Sequence, residues 1–203
     1  MITSGVNLHL FFFTALSVNK SQKLKKSSKK RRGRIMVRVE KILENPQFRE
    51  IMLELAHWES DRIFCKHDLQ HGFDVARILY ILLLENQAEL ELTPSVHPKE
   101  ISYALGILHD IGKLVQYKFK RCHAQEGAER AYAILLDAGF TRQEASCLCE
   151  AISQHREYRE ENSGLGKMLY QADKLSRNCS MCSGQSQCNK VEEMLAVQNK
   201  AIY

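Results

Sequence analysis

Apolar residues recur every three or four positions along the chain after residue 36, the spacing that places them on one face of an α-helix. The same stretch shows no strand-like alternation and no hairpin signal. The pattern therefore predicts an all-α protein. Eight helices are predicted, over residues 37–44, 47–64, 70–91, 98–110, 122–138, 141–156, 163–177 and 189–199.

Turn and capping residues support several of these boundaries. The segment "TPSVHP" breaks the chain before Pro98, and Gly139 in "DAGF" follows the helix predicted to end at residue 138. Thr141 and Glu144 in "TRQE" have the spacing of a capping box, in which each side chain accepts a hydrogen bond from an exposed amide of the first turn. The predicted helices thus begin and end where the local sequence favours it.

The first 35 residues follow a different pattern. The apolar run "VNLHLFFFTALSV" is too short to span a bilayer, and the basic run "KSQKLKKSSKKRRGR" follows it, whereas a secretory signal has its positive charge first. A short membrane-interacting anchor, a basic nucleic-acid tail and sequence translated upstream of a start at Met36 are the three interpretations. The last is favoured because helical pattern and mixed charge begin together at Met36. We expect residues 1–35 to be disordered.

The formal net charge of +5 comes from this segment, which holds nine Lys or Arg residues and no Asp or Glu. The remainder holds 20 Lys or Arg against 24 Asp or Glu, so we expect it to bind no specific nucleic acid. Seven scattered cysteines without an export signal favour a reducing, cytoplasmic location. We expect no stable membrane insertion, a helical domain over residues 36–177, and a Cys-rich segment with a helix over residues 178–203.

Six ionisable side chains lie on or beside the apolar stripes of five predicted helices. Any one of them alone is more often a hydrogen-bonded core residue than a ligand. Together they include two carboxylates, and burying each of these without a partner costs on the order of several kcal/mol. We therefore expect divalent positive charge among them. Imidazole and carboxylate ligands suit Fe, Mn, Zn or Co. The six are His71, His109, Asp110, His123, His155 and Asp173.

The segments "HGFDVA", "LHDIGK" and "ADKLS" resemble the H…HD…D signature of the HD-domain metal-dependent phosphohydrolases, from about Cys65 to Asp173. The resemblance implies an HD-domain helical bundle. It also implies that one metal is held by the residues at the signature positions, which are His71, His109, Asp110 and Asp173.

Two further segments, "CHAQEGAERA" with His123 and "AISQHRE" with His155, resemble the additional histidines of binuclear members, including bacterial diadenosine tetraphosphate hydrolases. This resemblance implies a second metal on His123 and His155, with Asp110 bridging the two ions. The chain also resembles small bacterial HD proteins that continue from "ADKLSR" into a Cys-rich tail, for which no substrate is implied.

The activity that the resemblance implies is hydrolysis of a phosphoester or phosphoanhydride in a nucleotide or another small phosphorylated molecule. Besides Asp110, two residues are catalytic candidates. Lys113 would neutralise a phosphate oxygen, as the matching lysine of the HD-I-G-K box is thought to do, and His67 would hydrogen-bond the substrate or act as a general acid. The alternatives are a solvated lysine at a helix end for Lys113 and a capping or surface role for His67. Arg62 and Arg177 are weaker phosphate-binding candidates and are expected on the surface.

Two other classes of function remain open. A di-iron oxygenase of the HD type would use the same six ligands, so the ligands alone do not separate it from a hydrolase. A non-catalytic nucleotide-binding module would keep a structural metal, although the complete ligand set favours an enzyme. The sequence leaves the oligomeric state, the metal and the substrate open.

The segment "CSMCSGQSQC" places three cysteines in a C-x2-C-x5-C array, a spacing suited to zinc or an iron–sulfur cluster. Such a site needs a fourth ligand. Cys65 lies six residues before His71, and Cys179 lies six residues after Asp173, so both fall within about 9 Å of helix rise from the predicted metal site. The candidate ligands of this second site are Cys65, Cys179, Cys182 and Cys188, and reduced, unliganded thiols are the alternative.

Overall fold

The structure is a computed structural model that describes residues 36–86 and 97–199. This part of the chain contains helices and no strand, which confirms the predicted all-α class. Two short 3₁₀ turns, Cys179–Met181 and Gln185–Gln187, precede the last helix. The helices are α1 (Val37–Glu44), α2 (Pro46–Trp58), α3 (Leu69–Glu85), α4 (Pro98–Leu108), α5 (Lys113–Phe119), α6 (His123–Ala138), α7 (Arg142–Gln154), α8 (Gly164–Leu175) and α9 (Val191–Gln198).

The core is a bundle in which α3 packs against α4 and α8, and α7 packs against α6 and α8. Burial of apolar side chains on these five helices provides the main driving force for the bundle. The largest fully buried side chains on them are Leu79, Leu82, Leu83, Leu105, Leu108, Ile134, Leu135, Ile152 and Leu169. The helices predicted to present the ionisable residues therefore share one core.

The backbones of α3 and α4 approach each other closely at Gly72 and Gly106. A Cβ atom added to Gly106 would lie 2.5 Å from the carbonyl oxygen of Gly72 and 2.6 Å from the amide nitrogen of Ala76. Only glycine allows this approach. It brings His71, which precedes Gly72, close to His109, which follows α4.

Several predicted boundaries differ from the observed ones. Helix α2 ends at Trp58 rather than at residue 64, because residues 59–68 form a loop whose His67 amide donates a hydrogen bond to Glu59. Helix α4 ends at Leu108, and the short helix α5 was not predicted, since seven residues are too few for a periodic pattern. The predictions for residues 1–35, 87–91 and 200–203 lie outside the described residues.

Helix α3 begins one residue before its predicted start and ends at Glu85, with Asn86 as its C-cap, whereas the prediction continued the helix to residue 91. The remaining predicted helices agree with the structure to within two residues, and α1 agrees completely. The predicted capping box at the start of α7 is present, with both the Thr141 and Glu144 side chains accepting backbone amides. Within residues 36–86 and 97–199, none of the helices has the apolar stretch that a bilayer crossing requires.

Candidate metal centre

Helix ends bring most of the predicted ligands together. His71 lies in the first turn of α3, where its amide donates a 2.9 Å hydrogen bond to the Asp68 carboxylate. His109 and Asp110 follow the last residue of α4, and His123 begins α6. The remaining two are His155, which caps the C-terminus of α7, and Asp173, which lies in the last turn of α8.

Four of these side chains form a first group of converging donor atoms. Nε2 of His71 lies 3.6 Å from Oδ2 of Asp110 and 3.2 Å from Oδ1 of Asp173. Nε2 of His109 lies 3.0 Å and 3.8 Å from the same two oxygens. All four donor atoms lie within 4.8 Å of one another, so the group could hold one metal ion.

A second group shares Asp110 with the first. The other carboxylate oxygen of Asp110, Oδ1, lies 3.6 Å from Nε2 of His123 and 3.6 Å from Nε2 of His155. Ligands that lie about 2.1 Å from a tetrahedral metal ion are roughly 3.4 Å apart, which is close to these separations. The two oxygens of Asp110 therefore face different ligand groups, as a bridging carboxylate would.

The histidines are oriented with their Nε2 atoms toward the centre. Nδ1 of His109 donates a 2.8 Å hydrogen bond to the carbonyl of Gly106, and Nδ1 of His155 donates a 2.6 Å bond to that of Ile152. These bonds keep a hydrogen on Nδ1 and direct Nε2 inward, as in metal-ligating histidines. Nε2 of His109 and Oδ1 of Asp173 are buried and have no hydrogen-bond partner. The residues present thus fit a metal ion.

Three basic side chains accompany the two carboxylates. Nη2 of Arg177 lies 2.7 Å from Nε2 of His71 and 3.7 Å from Oδ1 of Asp173, and Nζ of Lys174 lies 2.8 Å from Oδ2 of Asp173. Nζ of Lys113 lies 3.9 Å from Oδ1 of Asp110. Arg177, expected on the surface, is only 11% exposed here.

These cations change the electrostatic argument made from the sequence. The two buried carboxylates have positive partners within the protein, so charge compensation does not by itself require a metal ion. What indicates a metal is the convergence of the histidine nitrogens and carboxylate oxygens, together with two buried atoms that have no hydrogen-bond partner, Nε2 of His109 and Oδ1 of Asp173.

The pKa values within the centre follow the same charges. Burial favours the neutral form of Asp110 and Asp173, but His109 and the neighbouring lysines outweigh it and hold both pKa values well below the ordinary range. Burial also opposes protonation of His109, yet the two carboxylates raise its pKa to about 9. Burial lowers the pKa of His123 to about 2, which leaves its imidazole neutral. A cation between the carboxylates would replace the proton on His109.

His67 is held at the edge of the centre by Glu59. Its Nδ1 lies 2.5 Å from Oε1 of Glu59, its amide donates a 2.7 Å bond to Oε2, and the Tyr117 hydroxyl donates a 2.5 Å bond to Oε1. Burial opposes ionisation of Glu59, but these hydrogen bonds outweigh it and lower its pKa to about 2. Nε2 of His67 lies 3.9 Å from Oδ2 of Asp110.

Replacing Glu59 with Gln is expected to lower kcat about tenfold or more with little change in KM, because an amide would orient His67 less firmly. Steady-state kinetics over a range of pH would measure this, and the pH profile should change along with kcat. Tyr117→Phe removes only one of the three hydrogen bonds and serves as the matched control, with a smaller loss. An unchanged pH profile in the Glu59→Gln variant would contradict the positioning role.

A cavity of about 520 Å³ opens onto the centre. The structure brings the six predicted ligands together with both further catalytic candidates, His67 and Lys113. Three of the four cysteines proposed as a second site, Cys65, Cys179 and Cys188, line the same cavity. Three further residues of the site, Glu59, Tyr117 and Lys174, were not predicted from the sequence. Only Lys174 had an available signal, since it directly follows a predicted ligand.

The chain belongs to the HD domain family, whose sequence model matches residues 68–178. An uncharacterized protein of Clostridium beijerinckii is 35% identical over 152 residues, which cover 75% of this chain and 91% of that protein. A crystal structure described as a predicted HD superfamily hydrolase, from an uncultured Thermotogales bacterium, matches with a TM-score of 0.53. It shares 21% identity and covers 77% of this chain and 85% of its own, and so shares the fold.

Proposed function

We propose that this protein is a metal-dependent phosphohydrolase that acts on a small phosphorylated molecule. The observation that supports this most is the position of Asp110, whose two oxygens face the two ligand groups at the base of the cavity. We assign the first group as His71, His109, Asp110 and Asp173, and the second as Asp110, His123 and His155.

The cavity wall favours an anionic substrate. Its charged lining consists of seven Lys or Arg side chains and two carboxylates, which are the proposed ligands Asp110 and Asp173. A concave site with one dominant sign of charge attracts ligands of the opposite sign, and its volume suits a nucleotide-sized molecule. The basic residues are Arg62, Lys113, Lys120, Arg156, Lys174, Arg177 and Lys190.

Divalent cations, when bound at such a centre, lower the pKa of water and stabilise negative charge at phosphorus. Fe, Mn, Zn and Co all suit the donor set. The proposed roles of the protein groups follow from their positions. Lys113 lines the cavity and is 16% exposed, so its ammonium group can bind a non-bridging phosphate oxygen.

His67 is the proposed proton carrier. Because Glu59 accepts from Nδ1, the Nε2 atom of a neutral His67 has its lone pair free, and burial lowers the pKa of His67 and so favours this neutral form. Nε2 can therefore accept a proton from the attacking water. The same proton can be given to the leaving oxygen as the P–O bond breaks, which is the acid role expected from the sequence.

Phosphate release under strictly anaerobic conditions tests this proposal. The full chain, supplied with Mn or Fe, is assayed against nucleotides and small phosphoesters. Anaerobic turnover supports the hydrolase. An absolute requirement for oxygen would overturn it in favour of the di-iron oxygenase, and nucleotide binding without turnover in either atmosphere would favour the sensing module.

A further inference from the structure

We propose that Cys65, Cys179, Cys182 and Cys188 form a second, thiolate-ligated metal centre, separate from the histidine–aspartate centre. The centre would hold either a zinc ion or an iron–sulfur cluster, because thiolate ligands favour both. All four are free cysteines. The inference does not depend on the proposed phosphohydrolase activity.

The fold brings the four residues to one region from distant parts of the sequence. Cys65 and Cys179 line two neighbouring cavities, the one above the histidine–aspartate centre and a second of about 430 Å³. Cys188 lines the first cavity and Cys182 the second. Cys65 and Cys179 thus lie between the two other cysteines, although 114 positions separate them along the chain.

The segment that contains three of the cysteines packs on the loop that contains the fourth. A Cβ atom added to Gly184 would lie 3.2 Å from the carbonyl oxygen of Ile63 and 3.3 Å from the Phe64 ring. Nη1 of Arg177 donates a 2.8 Å hydrogen bond to the carbonyl of Lys66. These contacts hold the tail against residues 63–66, the part of the loop that contains Cys65.

Local backbone structure presents the tail cysteines in a regular way. Cys182 directly follows the first 3₁₀ turn and Cys188 the second. Their amides donate to the carbonyls of Cys179 and Gln185, at 3.3 Å and 3.1 Å. Nε2 of Gln198 on α9 lies 3.5 Å from Sγ of Cys179 and donates to it. The tail thus contains two successive tight turns, and a cysteine directly follows each of them.

Four thiolates gathered in one region repel one another unless a cation lies among them. In the described residues no three of these sulfurs lie within 4.8 Å of one another, whereas sulfurs about 2.3 Å from one zinc ion lie roughly 4 Å apart. Metal binding would draw the two turns together.

Cobalt(II) added to reduced, chelator-treated full-length protein tests the proposal. The wild type is expected to show a thiolate-to-cobalt charge-transfer band equivalent to one ion per chain. The C182S/C188S variant is expected to lose that band, and Cys147→Ser, which changes an exposed cysteine outside the group, is expected to keep it. The histidine–aspartate centre has no sulfur ligand, so the band is independent of the proposed activity.

Elemental analysis of protein purified without chelators identifies the native metal. Zinc lost in the C182S/C188S variant but kept in Cys147→Ser indicates a single ion, and iron with acid-labile sulfide lost in the same way indicates a cluster. Cys182 and Cys188 lie outside the buried core, and circular dichroism checks that the variant is folded. No band in the wild type, or a band and metal content unchanged in the folded double variant, would overturn the proposal.

Discussion

Asp110→Asn is expected to lower kcat/KM about a thousandfold or more and to reduce metal binding at both ligand groups. The reason is the shared position of this carboxylate, with Oδ2 in the first group and Oδ1 in the second. An amide keeps the shape of the side chain but loses the negative charge and one of its two acceptor atoms. The measurements are steady-state kinetics and metal content per chain.

Two comparison variants sharpen this experiment. Asp74→Asn makes the same chemical change at a partly exposed position on α3, where the carboxylate pairs with Arg77, and should leave activity and metal content unchanged. His123→Ala removes a ligand of the second group alone and should retain the ion of the first group. Full metal content and activity in the Asp110→Asn variant would rule out the shared carboxylate as the basis of the centre.

Loading chelator-treated protein with Mn(II) is expected to raise its Tm by several degrees. Free metal at 100 times its Kd stabilises the folded state by about 2.7 kcal/mol, and about 1 kcal/mol corresponds to roughly 2–4 °C for a chain of this size. The physical source is the buried donor set, in which Nε2 of His109 and Oδ1 of Asp173 lack hydrogen-bond partners. Thermal unfolding followed by circular dichroism measures the shift.

The shift should depend on the histidine–aspartate ligands and not on the cysteines. Asp110→Asn is expected to lose most of it, whereas the C182S/C188S variant should retain it, since Mn(II) favours oxygen and nitrogen over sulfur. An equal shift in wild type and Asp110→Asn would show that Mn(II) binds elsewhere. This measurement needs no substrate, and so it tests the metal centre apart from the reaction.

The loop after α2 contains contacts that the sequence pattern did not predict. Glu59 lies in a segment predicted as helix, and its contacts with His67 and with Tyr117 span 8 and 58 positions. The helical repeat of apolar residues relates only positions that are three or four residues apart in the chain. No pattern in the sequence connects these three residues, because the connection exists only once α2 and α5 have packed.

The basic residues show the same division. Arg177 was expected on the surface and Lys174 was not a candidate, yet both pair with Asp173 in the folded chain. The sequence pattern led us to expect divalent positive charge beside the two acids, and the folded chain adds basic side chains as further partners. The packing of the helices decides which charged side chains lie together in a buried site. A count of charges on each helix taken separately is therefore incomplete.

The sequence by itself determined the helical class and singled out the six histidine and aspartate positions that the structure brings together, because apolar period, capping residues and ionisable residues on an apolar stripe are all local features. Only the tertiary structure decided which oxygen of Asp110 faces which histidines, which cations accompany the carboxylates, and that Glu59 holds His67. These depend on the close crossing of α3 and α4 at Gly72 and Gly106 and on where the loops return. Such distances arise from packing between segments far apart in the chain.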